Sequence, residues 1–212
     1  MKKFSLIACA VTITLSQISY ADLPPPYDTV DLLPFNPQGW YSNAGSIERL
    51  VHRTNPKIVI EVGCWLGLST RHIAKTICEN GLVYAVDHWK GSPNEDNSPF
   101  DIQNLYRQFL SNVIHENLTH KIIPLKMSSI EAARTLQIRP DLIYLDATHD
   151  FYSVYQDLTL WFPFVKGHGV LCGDDYLWGH DLPVQRAVHL FAELRNLTVH
   201  AEGWFWYLEE RN

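Results

Sequence analysis

The stretch KIVIEVGCWLGLSTRHIAKTICENGLVYAVD, Lys57 to Asp87, decides the fold. KIVIEVG (57–63) is a short apolar run that reads as a buried strand. Leu68 to Glu79 has helical spacing and meets a stop signal at Asn80-Gly81, and LVYAVDHW (82–89) is a second buried strand. Strand, covering helix and strand in succession predict a parallel pair, because parallel neighbours need a crossover between them and bury both faces.

The alternation continues on both sides. SIERLVHRT (46–54) predicts a short helix stopped before Pro56. A further helix is expected within Pro99 to His115, and KIIPLKM (121–127) is a third strand. Ser129 is expected to cap a helix through Leu136, and DLIYLDA (141–147) is a fourth strand. Phe151 to Trp161 follows as a helix that Asp150 caps. HGVLCGDDY (168–176) is the fifth strand, and Pro183 to Leu194 is a helix with Pro183 in its first turn. LTVHAEG and WFWYLEE meet around Gly203 with no room for a helix, so they predict an antiparallel hairpin, the aromatics serving as sheet packing.

The chain has 212 residues, 46% of them hydrophobic, which suits one well-cored domain. Residues 1–21 read as an export signal: Lys2 and Lys3 precede the apolar run FSLIACAVTITL, and SYA lies before Asp22. Cleavage would place the protein outside the cytoplasm; otherwise it is membrane-anchored or cytoplasmic. Twelve apolar residues are too few for a stable transmembrane helix. Residues 22–43 form a Pro-rich arm, and the domain proper spans 44–212. Without Lys2 and Lys3 the net charge falls from −6 to −8, a poor balance for nucleic-acid binding. The remaining Cys64, Cys78 and Cys172 are odd in number and imply no disulfide framework.

In a parallel sheet of this kind, ligands bind beyond the carboxyl ends of the strands. Glu61 with Gly63, Asp87, Ser128, Asp146, and Asp174 with Asp175 all end strands and should converge there. Gly63 and Gly67 let backbone approach a ligand and leave helix amides available, while Asp87 is placed to accept ribose hydroxyls. Asp146 and Asp174 end neighbouring strands; three carboxylates meeting there would repel one another without a cation, and Mg²⁺, Mn²⁺ or Ca²⁺ suits hard oxygen ligands. His149 is placed to take a proton. His180 and Asp181 read as loop residues.

These motifs, Glu61 to Ser69, VDHWKGS (86–92), YLDATHDFYSVYQDLTLW (144–161) and GVLCGDDY (169–176), resemble class I S-adenosylmethionine-dependent methyltransferases. The likeness is to the metal-dependent O-methyltransferase-like branch that includes macrolide-sugar O-methyltransferases and cephalosporin-hydroxylase-like proteins. It implies an α/β, Rossmann-like methyltransferase fold with a seven-stranded, mostly parallel sheet ending in an antiparallel hairpin. It also implies that Glu61, Gly63 and Gly67 hold the methionine part of S-adenosylmethionine, Asp87 its ribose, and Ser128 or Ser129 its adenine. Asp146, Asp174 and Asp175 would hold a divalent cation, with Mg²⁺ favoured, and His149 would act as base. The implied acceptor is a small molecule or a sugar. A homo-oligomer stays open, as do a metal-dependent hydrolase or hydroxylase-like enzyme and a non-catalytic exported binding module.

Overall fold

The computed structural model describes residues 22–91 and 102–211. The expected signal segment and Ser92 of the VDHWKGS motif lie outside the described residues. Seven strands form one sheet in the order β3-β2-β1-β4-β5-β7-β6: β1 (Ile58–Val62), β2 (Leu82–Asp87), β3 (Ile122–Lys126), β4 (Leu142–Leu145), β5 (Val170–Gly173), β6 (Leu197–Glu202) and β7 (Phe205–Glu210). The first five are parallel. β7 runs antiparallel to both β5 and β6, as the hairpin reading expects. The chain therefore has the Rossmann-like methyltransferase architecture. The strand order reverses between β1 and β4, the switch point where such sheets open a crevice.

Among the described residues six α-helices cover the sheet: α1 (Ala44–Thr54), α2 (Leu68–Thr76), α3 (Leu105–His115), α4 (Ser129–Thr135), α5 (Phe151–Val165) and α6 (Pro183–Leu194). β1, β4 and β5 are buried on both faces, so their side chains divide between two cores. Val59, Tyr144 and Cys172 pack with Ile47, Ile73 and Phe109 on one face. Ile60, Ile143 and Leu171 pack with Leu158, Trp161 and Phe191 on the other.

Three boundaries differ from expectation. α2 ends at Thr76 rather than Glu79, because Ile77 turns extended and the buried Lys121 ammonium donates to the carbonyl of Ala74 at 3.1 Å, closing the helix early. Ser128, not Ser129, caps α4, its hydroxyl accepting from the Glu131 amide. α5 runs on to Val165 and accommodates Pro163, since Trp161, Phe162 and Val165 bury their side chains and hold the last turn in place. Asp150 caps α5 as expected, accepting from the Tyr152 and Ser153 amides at 3.1 and 3.0 Å.

The Pro-rich arm is extended apart from one 3₁₀ turn, Tyr27–Thr29, and it is firmly docked. Tyr27 is buried and its hydroxyl donates to the Ile122 carbonyl. Further along, the fully buried Asn112 of α3 accepts from the Asn36 amide and donates to the carbonyls of Asn36 and Leu66. One side chain thus ties the arm, α3 and the loop after β1 together.

Candidate active site

The loop from β1 to α2 is shaped by two left-handed glycines, Gly63 with φ +87° and Gly67 with φ +78°. A Cβ on Gly63 would sit 2.1 Å from the Asp146 carbonyl oxygen, so glycine is what lets the end of β1 cross the end of β4. Asp87 then fixes the loop. Its Oδ2 accepts from the Cys64 and Trp65 amides at 2.9 and 3.0 Å, and its Oδ1 accepts from the Trp89 amide at 2.6 Å.

Beneath the loop lies Glu61, wholly buried in β1. Its Oε1 accepts from the Ser69 hydroxyl at 2.5 Å, while its Oε2 is buried with no hydrogen-bond partner. Burial pushes the carboxyl up to about 7, against the opposing hydrogen bond from Ser69. An unsatisfied buried acceptor costs on the order of 1–3 kcal/mol, more when charged, so the position is one that a cationic donor would relieve.

Beyond β4 and β5 opens a cavity of about 1480 Å³. Gly63 and Ser69 line it, as do Asp146, His149, Asp174 and Asp175. Single ligand sites span about 300–1,000 Å³, so this one has room for two molecules side by side. At its floor Asp146, His149 and Asp175 each bring one ligand atom to within 4.8 Å of the others. His149 Nε2 lies 2.8 Å from Asp175 Oδ2, and the His149 ring packs against Trp178 at 4.6 Å between centroids. Desolvation, followed by the charges of Asp174 and Asp175, raises the Asp146 carboxyl well above its ordinary range.

Asp174 lines the same cavity, so the four residues expected there, Asp146, His149, Asp174 and Asp175, do meet. Asp174 turns toward the sheet: its Oδ2 accepts from the Tyr144 hydroxyl at 3.0 Å and its Oδ1 from the Asp175 amide at 2.6 Å. Asp175 adopts φ +59°, and its carboxylate reaches His149. Glu61, Gly67, Asp87, Ser128 and Ser129 are not among the described residues lining the cavity, Glu61 lying buried behind Ser69, which does line it. Ser129 instead joins helices, donating to Asp157 Oδ1 at 2.5 Å and accepting from Trp161 Nε1 at 2.9 Å. Among the lining residues that carry no assignment from the sequence are Trp40 and Tyr41 from the arm and Trp178 after β5. Two others read differently there. Trp204, taken as sheet packing, and Asp181, taken as a loop residue, both line the cavity, and Asp181 pairs with Arg186 at 3.0 Å.

The architecture and the strand-end crevice are those of a methyltransferase domain. A methyltransferase-domain family model matches residues 60–176, more than half of the chain, and the chain belongs to that family. No curated protein gives a significant match. Solved structures share the fold at low identity. The O-methyltransferase from Bacillus cereus, in complex with S-adenosylhomocysteine, is 16% identical with TM-score 0.58, covering 81% of each chain. TomG from Streptomyces achromogenes, an O-methyltransferase of tomaymycin synthesis in complex with S-adenosylmethionine, is 13% identical with TM-score 0.61, covering 80% of each. The S-adenosylhomocysteine-bound methyltransferase PaMTH1 from Podospora anserina is 12% identical with TM-score 0.61, covering 83% of this chain and 81% of its own.

Proposed function

We propose that this enzyme transfers a methyl group from S-adenosylmethionine to a hydroxyl oxygen of a small molecule or sugar, assisted by a divalent cation. The observation that carries the reading is the Asp146, His149 and Asp175 cluster on the floor of a two-ligand cavity, beside the β1 to α2 loop. When bound, S-adenosylmethionine supplies an electrophilic methyl on a sulfonium. The residues fit it. The orphaned Oε2 of Glu61 is an acceptor for the ammonium of the methionine part, and the Gly63 to Gly67 loop offers backbone to the same end. Asp87 would serve the ribose edge and also stiffens the loop, whose amides it holds. Ser128 or Ser129 would border the adenine.

Deprotonation falls to the floor cluster. The Asp175 carboxylate fixes the His149 tautomer with its hydrogen on Nε2, which leaves Nδ1 as the basic nitrogen and stabilises the imidazolium formed. His149 would take the proton of the acceptor hydroxyl, leaving an oxygen able to accept the methyl that bound S-adenosylmethionine would supply. A cation held by Asp146 and Asp175, with Asp174 beside them in the same cavity, would offset the crowded carboxylates, acidify the acceptor hydroxyl and leave His149 to act as base. Titrating Mg²⁺, Mn²⁺ and Ca²⁺ while following thermal stability tests this: wild type should be stabilised by at least one ion, and Asp146→Asn should lose most of that gain. A wild-type protein indifferent to all three ions would remove the cation.

We further propose that residues 1–21 are a cleaved export signal. Among the described residues no helix is long and apolar enough to cross a membrane. Mass spectrometry of the native protein should find a terminus at or near Asp22, and an intact N-terminal segment would contradict export by cleavage.

A further inference from the structure

The cavity has an outer half that methyl transfer to a single small ring does not use. Trp40, Tyr152, Trp178 and Trp204 line it, and all four remain substantially exposed, Trp40 at 68% and Tyr152 at 82%. Large aromatics left open at a mouth, rather than folded into a core, present flat faces to something outside. Trp40 is supplied by the arm, upstream of the residues 60–176 that the methyltransferase family model matches. Its position is held on both sides. Asn112 clamps Asn36, and the Tyr41 hydroxyl meets His72 Nδ1 at 2.8 Å while His72 Nε2 meets Glu48 at 2.9 Å. Trp40 stands 5.8 Å from Trp65, and Trp178 and Trp204, which line the same cavity, stand 6.5 Å apart.

From this geometry we infer that the acceptor is a saccharide chain, with one ring at the His149 cluster and further rings stacked on Trp40 and the opposite tryptophans. The inference rests on the methyl-transfer reading for the inner ring alone. Besides the aromatics, the lining brings hydroxyl and carboxylate side chains, Ser42, Thr148, Ser153 and Asp150 among them. Sugar rings offer a C–H face to an aromatic plane and an equatorial belt of hydroxyls to such acceptors. A small phenol would need an enclosed apolar slot instead. The acids along the wall repel an anionic chain, so the saccharide is neutral.

The test titrates cello-, malto- and chito-oligosaccharides, from one ring to six, into the full-length protein and follows tryptophan fluorescence, with catechol as the phenolic comparison. At least one series should bind more tightly with each added ring. Trp40→Ala should weaken the longer members by on the order of 10-fold while leaving the monosaccharide unaffected, and Trp40→Tyr should restore much of the loss. Equal affinity of Trp40→Ala and wild type for every chain overturns the proposal. So does binding of catechol alone, or of no series at all. A parallel S-adenosylhomocysteine titration reads the methyl-transfer proposal separately: saccharide binding without it would sink the transfer and leave the acceptor groove standing.

Discussion

Replacing His149 by glutamine is expected to lower turnover by about 10²- to 10⁴-fold, the contribution of a positioned acid or base. The loss should fall on kcat. His149 touches Asp175 and Trp178 on the cavity floor, whereas Glu61 and Ser69 lie under the other side of the β1 to α2 loop. Affinity for S-adenosylhomocysteine should therefore hold. Stopped or coupled assays, once an acceptor is in hand, read kcat, and calorimetry reads the affinity. Wild-type turnover in His149→Gln would assign deprotonation elsewhere.

Glu61→Gln should act on the opposite half of the site. Truncating one partner of a buried charge pair costs about 2–5 kcal/mol, so cofactor affinity should fall by roughly 30-fold to several thousand-fold. Without cofactor the sign reverses. Glu61 carries a folded-state carboxyl raised to about 7 from an ordinary 4.5, so between those values the folded chain keeps a proton that the unfolded chain releases. Stability is consequently lost as pH climbs from the lower value through the upper one, by on the order of 3 kcal/mol. Glutamine has no such proton to lose. At pH 8 the ligand-free variant should melt higher than wild type, whereas at pH 4 the two should converge. The same reasoning makes wild-type cofactor affinity rise with pH up to about 7, because the ammonium calls for the ionised form. A variant that binds normally and melts like wild type at every pH would take Glu61 out of the site.

The parallel core was legible because buried strands announce themselves as apolar runs, and KIVIEVG, LVYAVD and DLIYLDA each carry an acid at or near the carboxyl end, where a crevice must open. The hairpin was legible for a plainer reason: six residues on either side of a glycine turn leave no space for a helix. What escaped depends on backbone conformation and on contacts distant in sequence. Nothing in GDDY says that Asp175 takes a left-handed φ while Asp174 accepts from Tyr144, yet this arrangement brings the Asp175 carboxylate to His149. Asp87 was readable as a strand-end acid, but its grip on the Cys64 and Trp65 amides needs the loop to fold back over it. The arm was the least legible element, since prolines erase the periodicity that would reveal a buried face. Its anchors, Tyr27 on Ile122 and Asn36 on Asn112, span 95 and 76 residues.

Calorimetric titration of S-adenosylhomocysteine into the full-length protein, alongside Glu61→Gln, tests the central claim most directly. The account predicts saturable 1:1 binding to wild type with a Kd below about 1 mM, and binding at least about 30-fold weaker in the variant. No heat of binding and no rise in melting temperature for the folded wild-type protein at millimolar ligand would contradict it.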